Sequence, residues 1–425
     1  MSDKRVSRRA FLRNAAAAAA GAAAVPLFIP RHVLGASASG PAPSDKLRAG
    51  FIGIGGMGGG HLGNWLGRSD VEIVAVCDVN SQHRDKAKER VEAKRKGCDA
   101  YTDFRELLAR SDVDVVCIAA PDHWHAFIAI AAAKAGKDMY CEKPMSLTIG
   151  QARAMVQTVR RYERVFQTGS QQRSDARFRR ACELVRNGRI GKVKEVWVDV
   201  GGPSRECNLP EQPVPDYMNW DMWLGPAPWA PYNAMRCAMD YGKGWRQWRD
   251  YSGGMMTDWG AHHFDIVQWA LGMDESGPVE IAPPDGKNVK HLTYRYADGT
   301  VVYHGRGPGA RRQILFIGEQ GKVHVDRGGM ECEPDGLDKQ PAGPRDAQLY
   351  RSPGHAEDFF RCVRSRKRPI CDVEIGCRSV TVCHLGNIAY WLGRPLKWDP
   401  EKEDFIGDAE ASRWRYRPAR APWHL

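Results

Sequence analysis

Short apolar runs alternate with mixed polar and apolar stretches through the first 170 residues. Residues 47–54 (LRAGFIGI), 71–77, 113–119, 139–141 and 165–168 are apolar, short and bounded by turn residues, so each reads as a buried strand. Between them, 61–66, 81–96, 127–135 and 149–162 carry apolar residues at helical spacing. Strands separated by helices predict a doubly wound parallel sheet, an α/β fold, over residues 46–168. Further on, 179–187 reads as a helix ended by Asn187-Gly188, and 193–200 alternates as a strand. Residues 291–327 read as strands joined at Ala297-Asp298-Gly299 and Glu319-Gln320-Gly321, and 355–364 and 373–392 as helices. This predicts a second domain over 169–405, followed by a basic, aromatic tail, 406–425, that packs against the protein. Residues 201–250 break the pattern with seven prolines among many tryptophans and tyrosines. A long irregular segment of this kind serves a ligand or an interface, and its aromatic faces suit either a sugar ring or a partner subunit.

Composition changes the picture mainly at the N-terminus. The 425 residues carry a formal charge of +11, but the first 38 hold six cations against Asp3, which leaves +6 on the rest. The remaining charges are interspersed, which argues against a nucleic-acid partner. Ser7-Arg8-Arg9-Ala10-Phe11-Leu12 precedes an alanine-rich stretch and Ala36-Ser37-Ala38, the pattern of a twin-arginine export signal over residues 1–38, with a linker over 39–45. The apolar run is too short for a stable membrane anchor, so the expectation is an exported, periplasmic protein. The 12 cysteines include no C-x-x-C pair, and Cys77, Cys117 and Cys141 lie within apolar strands as small hydrophobes.

The candidate chemistry begins at the first turn. Gly53, Gly55, Gly56, Met57 and Gly58 form a GxGxxG turn after the first strand, and Asp78 ends the second strand twenty residues later. Glycines let the backbone approach a pyrophosphate, a helix N-terminus offers free N–H groups, and the acid accepts from a ribose hydroxyl pair. Asp78 would repel a 2′-phosphate, so NAD is expected over NADP, although Asn80, Ser81 and Arg84 nearby could assist a phosphate. His123 and His125 form an H-x-H in the loop after a strand; without a third ligand at recognisable spacing they predict contact with the cofactor rather than a metal. Asp258, His262 and Asp265 are spaced i, i+4, i+7 and would share one helical face, with His263 turned about 100° away. An imidazole suits removal of an alcohol proton; the same residues would equally serve as a helix cap and a satisfied buried histidine. Gln171, Gln172, Arg173 and His263 are candidate substrate contacts.

Two strings carry a resemblance: Cys141-Glu142-Lys143-Pro144, and Asp258-Trp259-Gly260-Ala261-His262-His263-Phe264-Asp265. With Ala120-Pro121-Asp122-His123-Trp124-His125 and the glycine turn, they make residues 46 to about 400 resemble the glucose–fructose oxidoreductase/inositol dehydrogenase (Gfo/Idh/MocA) family. The resemblance implies Lys143 near the nicotinamide, with Asp258 and His262 completing a catalytic group, and Pro121 and Glu142 beside the cofactor. It also implies an α+β C-terminal domain with a largely antiparallel open sheet, whose outer face makes homo-oligomer contacts. The expected activity is NAD(P)-dependent oxidation of a secondary alcohol of a sugar, cyclitol or glycoside. Export with a dinucleotide fingerprint further suggests a cofactor carried tightly bound. Redox-neutral glycoside cleavage through transient ring oxidation, and a non-catalytic sugar-binding module, are the alternatives; intact Lys143, Asp258 and His262 argue against the last.

Overall fold

The computed structural model describes residues 45–425 apart from Ala342. The expected export signal and nearly all of its linker lie outside the described residues. Leu47 and Arg68–Glu72 group separately as a small unit, within which the Leu47 amide donates to the Asp70 carbonyl. Arg48–Gly67 and Ile73–Leu425 form one unit containing both sheets.

The first sheet comprises β1 (Leu47–Ile52), β2 (Val71–Cys77), β3 (Asp99–Tyr101), β4 (Val115–Ile118), β5 (Asp138–Cys141) and β6 (Phe166–Thr168), in the order β3-β2-β1-β4-β5-β6. Its pairs run parallel, as in β1–β4, β2–β3, β4–β5 and β5–β6. Order reverses at β1, so a crevice opens at the carboxyl ends of β1 and β4, where α/β sheets bind ligands. The second sheet joins β7 (Val193–Val198), β8 (Glu280–Ala282), β9 (Leu292–Arg295), β10 (Val301–His304), β11 (Ile314–Gly318), β12 (Lys322–Asp326), β13 (Gly329–Glu333), β14 (Leu396–Asp399) and β15 (Asp404–Phe405). It is antiparallel except for β7–β10.

Each sheet has its own apolar core, one around Ile52, Val116, Met155 and Phe166, the other around Phe178, Phe264, Phe316 and Trp398. The helix Val373–Leu392 serves both: Val373, Cys377 and Val380 pack into the first, and Val382, Leu385 and Ile388 into the second. Its only charges are Glu374 and Arg378 near its start, and such an all-round apolar helix must be buried on every side. The tail is packed, with the Trp423 ring 4.7 Å from that of Trp124 and Arg420 donating to Asp221. All 12 cysteines are free, and all but Cys207 and Cys237 are buried.

Some helix starts differ from the sequence expectation. The helix after the glycine turn starts at Gly56 rather than His61, and the one after β4 at Asp122 rather than Phe127. The short β3 and the helix Phe104–Leu108 were not foreseen.

Candidate active site

Gly53 leaves β1 at φ +82°, a conformation that favours glycine, and a Cβ there would lie 2.6 Å from the Ala120 nitrogen. At Gly58 a Cβ would come within 2.0 Å of the Gly53 carbonyl oxygen, so the helix Gly56–Leu66 can seat against the turn only with glycine. Gly55 caps that helix without a side chain, and the Gly56 N–H faces the Met239 sulfur at 3.3 Å. Asp78 closes the other wall. Its Oδ2 accepts from the Ile54 N–H (2.7 Å) and its Oδ1 from that of Asn80 (2.9 Å), while burial pushes its carboxyl up.

A cavity of about 420 Å³ runs from this wall to Lys143. Among the residues singled out from sequence, Gly53, Gly55, Gly56, Met57, Asp78, Pro121, His125, Glu142 and Lys143 line it. Its roof is the irregular segment: Tyr217, Met218, Met222, Trp223, Tyr232, Met239, Tyr241, Trp245 and Arg246. The segment's aromatic rings pack chiefly on one another, with Trp220 and Trp223 stacked at 4.8 Å. Its backbone is tied to the far wall where the Ser81 N–H donates to the Tyr217 carbonyl and that of Asn219 to Val79. The glycine cradle, the uncapped helix start and the acid at the end of β2 together fit a dinucleotide.

At the inner end, Lys143 follows β5. Its Nζ donates to Asp258 Oδ1 (2.8 Å) and to the Asp258 carbonyl (3.2 Å), with both side chains buried. Arg246 Nε donates to the same Oδ1 at 3.1 Å. Glu142 is held low by the adjoining His61 imidazole, at 2.7 Å, despite its burial, and it also accepts from Gln171.

Several expectations are corrected here. Asp258, His262 and Asp265 are not carried on one uninterrupted helix: the helix Met255–Asp258 stops, and Gly260–Leu271 begins after Trp259, which keeps right-handed helical angles. The Asp258 carbonyl accepts from Lys143, and the His262 amide turns to the Trp259 carbonyl instead (3.0 Å). Asp265 points into an ion pair with Arg173 (2.7 Å) and accepts from Ser379. Arg173 is thereby removed from the candidate substrate contacts: it is 1% exposed, pairs also with Asp274, and lies over Trp269. His263 is fully buried against Gln313, its imidazole pushed down to about 4 by burial. His123 and His125 stand in the first turn of the helix Asp122–Lys134 rather than in a loop, each held by a carbonyl, of Trp223 (3.0 Å) and Pro144 (2.7 Å). Among the described residues no three His, Cys, Asp or Glu side chains gather as a metal site. His262 lies outside the cavity lining; its Nδ1 is buried without a partner, and burial and the Lys143 and Arg327 charges hold its imidazole neutral.

Residues 47–170 match the model described as the oxidoreductase family NAD-binding Rossmann fold, and residues 193–425 match the family's C-terminal alpha/beta domain. The chain belongs to the Gfo/Idh/MocA oxidoreductase family. Among relatives of this Gfo/Idh/MocA protein, a myo-inositol 2-dehydrogenase of Thermotoga maritima is 27% identical over 66% of this chain and 75% of its own. A glycosyl hydrolase family 109 protein of Shewanella pealeana is 33% identical, the match covering 38% of each chain. The fold is that of an aldose-aldose oxidoreductase of Caulobacter crescentus, with TM-score 0.58 and 20% identity over 83% of this chain and 99% of that one.

Two polar residues of this Gfo/Idh/MocA site escaped the sequence reading. Asp122 lines the cavity and receives the Ser252 hydroxyl (2.7 Å), its Oδ1 is unpartnered, and burial pushes it up to about 7. Arg246 lies in the irregular segment, where no spacing marked it.

Proposed function

We propose that this protein is an NAD-dependent oxidoreductase that oxidises a secondary alcohol of a sugar, cyclitol or glycoside. The observation carrying this reading is Lys143, fixed by Asp258 at the inner end of a cavity whose outer end is the glycine cradle and Asp78. NAD, when bound, accepts the hydride. Gly53–Gly58 would seat its pyrophosphate, and Asp78 an adenosine ribose.

Asp258 holds the Lys143 amine in place, so its remaining N–H can stabilise negative charge growing on the substrate oxygen. His262, held neutral by its surroundings, is the proposed acceptor of the alcohol proton once substrate reaches past the cavity lining to it. The aromatic roof would shield the reacting carbon from water. The test is a screen of aldoses, cyclitols and glycosides against the purified protein, following conversion of NAD to NADH by absorbance. Failure of every polyol to reduce NAD would remove this reading.

The 33% identity to a glycosyl hydrolase family 109 protein supports a second reading, in which the hydride returns after a neighbouring C–O bond is cleaved. Product analysis separates the two: a keto-sugar with net NADH in the first, a released aglycone without net NADH in the second.

A further inference from the structure

Arg246 is a buried arginine whose charge is only partly neutralised by its neighbours. Arg173, for comparison, is neutralised by two carboxylates, Asp265 and Asp274. Arg246 has one, and shares it: Lys143 Nζ and Arg246 Nε both donate to Asp258 Oδ1, at 2.8 and 3.1 Å. One further N–H goes to the Met239 carbonyl (3.2 Å), which leaves part of the five-donor fork uncommitted. The guanidinium is about nine-tenths buried, lines the cavity, and lies over the Trp245 and Tyr241 rings at 4.3 and 4.4 Å. Those rings fix its plane, so its fork is preorganised.

The acids nearby are engaged by other partners. Glu142 is paired with His61, and Asp78 is engaged by two backbone amides at the opposite end. Asp122 is bonded by Ser252, and its carboxyl is easily protonated because burial pushes it up to about 7. Burial pulls the His125 imidazole down, so it adds no charge of its own. Two cations on one carboxylate oxygen, beside a cavity, attract an anion that can accept two parallel N–H bonds.

We propose that Arg246 selects a sugar acid, a pyranose bearing a carboxylate such as a hexuronate, by receiving that carboxylate while Lys143 attends the alcohol being oxidised. This rests on the oxidoreductase reading above. The cofactor's phosphates are the other anion of suitable chemistry, and the test separates the two sources. Nucleotide-loaded protein is titrated calorimetrically with matched pairs, glucose with glucuronate and galactose with galacturonate, and reduction of bound NAD is followed for each.

Charge-assisted recognition should favour the uronate by about 10- to 100-fold. Arg246→Met should abolish that preference and Arg246→Lys retain part of it, with bound nucleotide, measured after denaturation, still stoichiometric in both. Equal or tighter binding of the neutral sugars by the wild-type protein would overturn the inference while leaving the oxidoreductase reading intact; this arm needs no variant to fold. Loss of nucleotide in Arg246→Met, with the uronate preference kept, would reassign the arginine to the cofactor's phosphates. Binding and reduction with no member of any pair would overturn both readings together.

Discussion

Asp122 is a carboxyl whose ionisation the fold opposes. Buried at the start of its helix, it is pushed from 3.8 up to about 7, with Asp258 adding to the effect and the Ser252 hydroxyl bond partly offsetting it. A carboxyl raised on folding contributes stability that is complete below pH 4 and is lost as pH rises through 7. Asp122→Asn should therefore melt higher than the wild type at pH 8, by the equivalent of at most ~4 kcal/mol, and no higher at pH 4. Melting curves at the two pH values check it; an equal shift at both would mean that the carboxyl is not held against its charge. Lys143→Ala should lower turnover about 10²- to 10⁴-fold with the fold kept, because Arg246 still satisfies Asp258 Oδ1. Single-turnover reduction of bound NAD, set beside circular dichroism, measures both halves of that statement. Lys143 was legible because Glu-Lys-Pro is a local string after a strand. Arg246 was not, because only packing brings position 246 beside 143. The interruption of the helix between Asp258 and Gly260 was hidden for a related reason: a long-range bond from Lys143 takes the carbonyl that the next turn would have used.

At the level of elements, the parallel sheet followed from strand-length apolar runs, and the strands after residue 290 followed from their Asp-Gly and Gln-Gly turns. The helix Gly56–Leu66 was foreseen only in its second half, since four of its first five residues are glycine and intrinsic propensity opposes a helix there. Tertiary seating of Gly58 against Gly53 prevails. The irregular segment was open between two roles, and its chain gave no period to decide. In the structure it forms a roof whose Met239 sulfur sits over the Gly56 N–H, on the helix start that suits a phosphate. A thioether is a weak acceptor and moves easily, so a dinucleotide entering the cradle displaces it. Met239→Ala should speed both loading and release of nucleotide, about several-fold each, with the equilibrium affinity changed less than either rate. Stopped-flow fluorescence of NADH with the refolded, nucleotide-free protein gives both rates. Unchanged rates would place the methionine outside the entry path.

For the whole molecule, the two cores share the helix Val373–Leu392, and the tail packs on the first domain through Trp423 and on the irregular segment through Arg420. Both halves of the molecule are thus tied together beside the cavity. We propose that the protein is exported, as its twin-arginine pattern suggests, and an exported oxidoreductase would meet little free NAD. A protein folded before export can carry its cofactor, and the present architecture supports that route: glycine cradle, Asp78 and Lys143 below, and an aromatic roof above tied by its backbone to Val79 and Ser81. The expected outcome is that mature protein purified without added nucleotide yields close to one NAD(H) per chain on denaturation, by mass spectrometry. A bound ligand also stabilises the native state by mass action, so stripping it should lower the melting temperature, and adding NAD back should restore it. Protein isolated largely empty, and refilled by free NAD only at micromolar or weaker affinity, would mean that the roof opens freely. The enzyme would then depend on an external supply, and the pairing of export with a captive cofactor would fall, whatever its substrate.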